Sequence, residues 1–277
     1  MGMRINTNML SVNAQRNLRS AQGKLADSTG QLASGSRINK SADDAAGLAI
    51  SESLTGQIRS FTQAARNAQD GISFVQVAEG GMNEIGNMII RLRELSVQSA
   101  SDTIGEKERG YLDREAQQLK LEVERIAQST NYNGTSLLNG TGPILDFQIG
   151  TRNDEFLDRI SYKPGETNVT VDALGISGID VSNKASAQGG LDALDNALSG
   201  LNSNRSNLGA LQNRLVSNVA NTEVAVENFS AARSRIKDTD FAMVSADMSR
   251  DIVKTQAATS VLAQANSSTT LALKLLG

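Results

Sequence analysis

The 277-residue sequence predicts a mainly α protein: a long antiparallel helical bundle or coiled coil, a small β-hairpin region, and one further helix at each end of the chain. Three observations carry this. Between Asp43 and Ala100, apolar residues recur at spacings of three and four: Ile58, Phe61, Ala65, Ala68, Ile72, Val75, Ala78, Met82, Ile85, Ile89 and Leu92. From Leu191 to Ile236 an unbroken 3-4 count of fourteen positions carries ten apolar residues, which is a coiled-coil seam. Only two Pro, six Phe, three Tyr and no Trp occur. That composition suits thin bundles filled by Ala, Leu, Ile and Val rather than a thick globular core.

Composition also removes whole classes of function. There is no Cys, hence no disulfide and no thiolate chemistry, and no His, hence no neutral-pH imidazole base or ligand. The sequence has no HExxH, no phosphate loop with Lys and no CxxC, and lacking His it cannot form a Ser-His-Asp set. No apolar signal region opens the chain, and no run is long and apolar enough to span a membrane. Met1-Gly2 is not a myristoylation start, because Asn6 stands where Ser or Thr is needed. Net charge is -3. Residues 1–45 carry six basic against three acidic groups, and residues 237–277 carry four of each, so the acidity sits in the centre. Nucleic-acid binding, which needs a basic patch, is not expected.

Residues 5–33 form the first expected helix, with Leu10, Ala14, Leu18, Ala21, Leu25 and Leu32 on one face. Gly35 ends it. Ser41 is the expected cap of the long helix, with Asp43 and Asp44 in its first turn, where the helix dipole favours carboxylates. The step Ile72-Val75-Ala78 is a stammer that re-phases the stripe. At 1.5 Å per residue this helix is a rod of about 85 Å. A new cap near Gly105-Glu106 opens a third helix to Gln128, striped by Leu112, Ala116, Leu119, Val123 and Ile126.

Asn133-Gly134 and Asn139-Gly140 then mark a turn-rich region. Residues 144–149 and 159–162 are expected to pair as a hairpin, residues 168–171 to add a short strand, and the Gly/Ser-rich 172–186 to be loop. The heptad helix of residues 186–236 is about 76 Å long and nearly matches the first rod. The two are expected to pair antiparallel, with residues 105–129 as a third member. Residues 237–240 break the pattern; Asp238 and Asp240 read as helix-cap residues rather than metal ligands. A last helix spans about 241–276. A thin pair of end helices buries little area, at about 25 cal/mol per Å², against about 1–2 kcal/mol per residue of backbone ordering. Residues 1–45 and 237–277 are therefore expected to be poorly ordered in a lone molecule and to order only when many copies pack side by side.

These residues resemble bacterial flagellin. The motifs are Ile5-Asn6-Thr7-Asn8, Leu32-Ala33-Ser34-Gly35-Ser36-Arg37-Ile38-Asn39, Ala42 to Ser51 (ADDAAGLAIS), Asn67 to Ser73, Arg91-Leu92-Arg93-Glu94-Leu95, Ile149-Gly150, Arg235 to Asp240 (RIKDTD) and Leu262-Ala263-Gln264-Ala265-Asn266. The resemblance covers residues 3–160 and 186–277 and implies a structural subunit, not an enzyme, with no cofactor or metal. It implies that 1–45 and 237–277 form an inner coiled-coil layer of a homopolymeric filament around an export channel, with 46–185 and 186–236 as the surrounding rod. Outer domains, which longer members insert after the hairpin, are expected to be absent.

On that resemblance, subunit contacts on the inner helices are expected at Ile5, Leu10, Leu18, Leu25, Leu32, Met248, Ile252, Leu262, Leu271 and Leu275. Rod packing is expected at Ile58, Ile72, Val75, Ile89, Leu92, Leu194, Leu201, Leu208, Leu215 and Phe229. The resemblance further implies secretion through type III export without a cleaved signal peptide, an export chaperone on about 241–276, and contacts with hook-associated and cap proteins. It also implies recognition by Toll-like receptor 5 at the matching positions Arg91, Leu95 and Glu115. Two alternatives are a hook–filament junction protein, which shares the terminal-helix plan, and a soluble coiled-coil adaptor.

Overall fold

The structure, a computed structural model, describes residues 8–274, with side chains through Ser267. Among them are five helices: α1 (Met9–Ser34), α2 (Ala45–Ser99), α3 (Glu106–Ser129), α4 (Lys184–Lys237) and α5 (Phe241–Lys274). Two small antiparallel ladders join β1 (Asn131–Tyr132) to β2 (Thr135–Ser136), and β3 (Leu145–Gln148) to β4 (Arg159–Tyr162). The chain divides into two compact units, one of residues 58–227 and one of residues 1–57 with 228–277.

In the unit of residues 58–227, α2 and α4 run antiparallel. The order of contacts along them fixes the direction: Arg205 lies 3.8 Å from Glu79, a Cβ on Gly86 would meet Leu201, and Arg93 pairs with Asp195 at 2.6 Å. Their seam holds the core. Ala68, Val75, Ala78, Met82, Ile85, Ile89 and Leu92 on α2 are buried, as are Leu194, Leu201, Leu208 and Leu215 on α4. On α4 the fully buried positions recur every seven residues, and the alternate seam positions Leu198 and Val219 are half-buried. One edge of the stripe therefore faces α2 squarely and the other is shared with solvent. Ala116, Val123 and Ala127 of α3 close the third side.

Four aromatic rings gather at the hairpin end of this seam. Phe74 is the hub, edge-on to Tyr132, Phe147 and Tyr162 at centroid distances of 5.8, 5.5 and 4.7 Å. The Tyr162 hydroxyl donates to the Leu137 carbonyl at 2.6 Å, so its polar end is satisfied inside the core. The β3–β4 register pairs Phe147 with Ile160.

Two sequence expectations are corrected here. The cap of α2 is Asp44, whose Oδ1 accepts from Gly47 N at 2.8 Å, and not Ser41; Asp43 instead closes the preceding turn by accepting from Asn39 N and Lys40 N. Residues 168–171 form no strand. Asn168 Oδ1 accepts from Thr170 N and from its hydroxyl, an Asx turn that diverts the backbone from any ladder, although Val169 N still bonds Leu138 O. Residues 172–183 are loop, as expected, with α4 beginning at Lys184, but the loop is packed, with Leu174, Ile176, Ile179 and Val181 buried in the core. Its backbone is tied down by Lys120 Nζ donating to the Ser177 and Ile179 carbonyls and by Ser99 Oγ donating to Val181 O.

The other unit is built from both chain ends. Asn8 caps α1 by accepting from Ser11 N, and Gly35 ends it at φ 68 in the left-handed region. Asp240 caps α5 by accepting from Ala242 N and Met243 N. That supplies a structural role for one of the two aspartates of the 237–240 break.

Candidate assembly surface

α1 and α5 pair antiparallel along their described lengths. At one end Asn8 Nδ2 donates to the Ala265 carbonyl at 2.8 Å and Ser11 Oγ to Asn266 Oδ1 at 2.8 Å. At the other, Ser36 bridges Asp238, Arg37 N donates to Lys237 O at 2.7 Å and Thr239 N donates to Gly35 O at 3.1 Å. The Arg37 guanidinium also takes the Ile236 carbonyl at the end of α4.

The seam of this pair is made of small and polar residues. Ser11, Ala14 and Ala21 are buried on α1, and Val244, Asp251 and Ala265 on α5. Asp251 is held by Lys254 at 2.9 Å. Larger apolar side chains stay outside: Leu10 is 64% exposed and Phe241 66%, with Met9, Val12, Met243, Ile252, Val253 and Val261 also exposed. Leu18, Leu25, Leu32, Met248 and Leu262 are half-buried. Ile5 and Leu275, and the side chain of Leu271, lie outside the described residues. None of the residues of the large core cluster, which runs from Ala68 to Leu215, belongs to this unit. Among the described residues this pair thus buries few apolar side chains and leaves several large ones exposed.

Of the rod positions, Val75, Ile89, Leu92, Leu194, Leu201, Leu208 and Leu215 are buried, whereas Ile58, Ile72 and Phe229 are half-buried. Burial on α4 thins out beyond Thr222. On the rod's outer face, Arg91 donates from Nε and Nη2 to Glu115 Oε1 at 2.9 and 2.7 Å, and from Nη1 to Glu94 at 2.9 Å. The Glu115 and then the Glu94 hydrogen bonds raise the pKa of Arg91. Leu95 is fully buried. It therefore contributes packing, and the accessible part of the expected receptor patch reduces to Arg91 and Glu115. Other exposed pairs act alike: Lys184 lowers the pKa of Asp102, and Arg93 that of Asp195.

A shallow groove between the hairpin and α4 is lined by Phe156, Leu157, Arg159, Arg214 and the amides of Asn213 and Asn218. It brings together no nucleophile with a base. Among the described residues no group of three acidic side chains could hold a metal, and no helix is long and apolar enough to cross a membrane.

A helical rod with its own core and a unit built from both chain ends define a mainly α, rod-forming protein. The chain belongs to the bacterial flagellin family: the flagellin N-terminal helical region matches residues 5–142 and the C-terminal helical region residues 191–276. It is 40% identical over 276 residues to a flagellin of Halalkalibacterium halodurans, covering 99% of this chain and 100% of the relative. It is 39% identical over 290 residues to the flagellar filament 33 kDa core protein of Treponema phagedenis, covering 99% and 100%. The crystal structure of Bacillus cereus flagellin superposes with a TM-score of 0.51 at 30% identity, covering 57% of this chain and 88% of that one. The chain is thus a flagellin, a structural subunit of the flagellar filament and not an enzyme. Only residues 143–190 lie between the two matched helical regions.

Proposed function

We propose that this flagellin polymerises through its two terminal helices, residues 1–45 and 237–277 forming the inner layer of the filament around an export channel and residues 46–185 with 186–236 the rod layer around it. The observation that carries this is the contrast in cores. The unit of residues 58–227 holds the whole buried cluster, whereas α1 and α5 meet across small residues and leave Leu10, Phe241, Val253 and Val261 exposed. Covering those side chains with further copies would gain about 25 cal/mol per Å² of apolar surface buried.

Pelleting and negative-stain microscopy, seeded with sheared filament ends, test the reading on the full-length chain beside a chain of residues 46–236. Long tubes are expected from the full-length chain alone. Equal growth of the shorter chain would remove the role of both ends. Short caps, or no growth at all, from the full-length chain would count against polymerisation through the terminal helices.

Four further assignments follow from the family resemblance. The chain leaves the cell unfolded through type III export; its last helix, 241–276, is the chaperone site before export; and hook-associated and cap proteins bound the filament. A chain truncated after Asp240 is expected to lose chaperone binding, and retained binding would refute the site. Toll-like receptor 5 recognition is assigned to Arg91 and Glu115, supported by their exposure and pairing on one face. Arg91→Ala monomer is expected to weaken a receptor-reporter dose response; a flat response from the unsubstituted monomer would end the assignment.

A further inference from the structure

Asn133-Gly134 and Asn139-Gly140 are identical dipeptides in very different surroundings. Asparagine before glycine is prone to lose its side-chain amide spontaneously, because glycine carries no Cβ to shield the attacking backbone nitrogen.

Asn133 and Gly134 are the two central residues of the turn joining β1 to β2, with φ of 49 and 80. Both positive values mark a primed hairpin turn. Both residues are exposed, a Cβ on Gly134 would meet nothing within 4 Å, and the Asn133 carboxamide makes no hydrogen bond among the described residues. The ladder behind the turn is two residues long on each strand, so the turn can open locally.

Asn139 is half-buried and held. Its Oδ1 accepts from Thr141 N at 3.1 Å and from the Thr141 hydroxyl at 2.8 Å. Gly140 is backed by Asn168: an added Cβ would come within 2.8 Å of Asn168 Nδ2. The preceding Leu138 is fully buried. Rotation of Asn139 toward the Gly140 nitrogen breaks both hydrogen bonds, and the Asn168 side chain lies close against Gly140.

We propose that Asn133 is a site of spontaneous deamidation in the folded protein, and that Asn139 is protected by its surroundings. The Gly134 backbone nitrogen gives its proton to hydroxide and attacks Asn133 Cγ. A nitrogen–carbon bond forms, the bond to the side-chain nitrogen breaks and ammonia leaves. Water then opens the cyclic imide at either carbonyl, giving aspartate or isoaspartate. Each product adds a negative charge, and isoaspartate also inserts a methylene into the main chain of a two-residue turn. That lengthening opposes the Tyr132–Thr135 pairing, next to the contact of Tyr132 with Phe74.

Both pairs lie in one tryptic peptide, between Arg125 and Arg152. The test incubates the full chain in mildly alkaline buffer, folded and in urea, and localises the converted residue by fragment-ion mass spectrometry that separates isoaspartate from aspartate. In the folded chain conversion at Asn133 is expected on the order of tenfold faster than at Asn139, and in urea the two rates converge. Equal rates in the folded chain, or no conversion at Asn133, would overturn the proposal. Asn168→Ala removes the side chain behind Gly140 and is expected to raise conversion at Asn139 while leaving Asn133 unchanged. No rise there overturns the reason given for protection.

Discussion

Gly80 and Gly81 are neighbours in α2, yet an added methyl would meet nothing at the first and would come within 2.8 Å of Leu138 Cδ1 and Thr130 Oγ1 at the second. Gly80→Ala is expected to stabilise the rod by about 0.5–1 kcal/mol, the cost of glycine in a helix interior. Gly81→Ala gains the same propensity but overpacks a core site, which costs about 1–3 kcal/mol. Its urea midpoint is expected to fall while that of Gly80→Ala rises; a rise for both would mean that the Leu138 contact is soft. The caps behave alike. Asp44→Ala is expected to cost about 0.5–2 kcal/mol, whereas Ser41→Ala is expected to cost nothing measurable, because only Asp44 accepts an amide of α2. Sequence alone could place a cap within Ser41 to Asp44 but not choose the residue, since all three polar candidates suit the role and only the backbone path decides which oxygen reaches an amide.

At the scale of elements, the two helix pairs differ in what they bury. Leu201 is at the centre of the α2–α4 seam and 1% exposed. Leu201→Ala is expected to cost about 2–5 kcal/mol of unfolding free energy. Leu10→Ala removes a side chain that is 64% exposed and is expected to leave the unfolding midpoint unchanged while slowing seeded filament growth. A drop in midpoint with normal growth would place Leu10 in the monomer's own packing. Amide exchange in the isolated subunit is expected to be fast along α1 and α5 and slow along the buried faces of α2 and α4. Strong protection of both terminal helices would contradict their dependence on neighbouring copies. The helices themselves were legible from the apolar spacing. The exposure of Leu10 in the single chain was not: its stripe includes Ala14 and Ala21, which are buried, and only the docked position of α5 leaves Leu10 outside.

For the molecule as a whole, absence of His means that no side chain of ordinary pKa titrates between pH 5 and 8. Thermal stability is expected to be flat there. Below that range the carboxylates decide. Asp102 and Glu122 have lowered pKa values, from the hydrogen bonds of Lys184 and Arg125. A lowered folded value means that the folded state holds the proton less tightly than the unfolded chain. The contribution is therefore complete above the unfolded carboxylate pKa of about 4 and is lost as pH falls through the lower folded values. Tyr162 works in the opposite sense, since burial raises its pKa. Its contribution is complete below the unfolded tyrosine value of about 10 and fades as pH rises through the folded one. A calorimetric pH series with a step between 5 and 8 would contradict the account. The sequence by itself determined the helices, the β3–β4 hairpin, the antiparallel rod seam and the family, because period and motif are properties of spacing along a chain. Tertiary structure alone decided the Phe74 aromatic hub, the burial of Ile176 and Val181 inside a Gly/Ser-rich loop, the concealment of Leu95 and the difference between two identical Asn-Gly pairs. In each of those a contact from residues distant in sequence takes part, as Asn168 does behind Gly140, and local pattern carries no record of such neighbours.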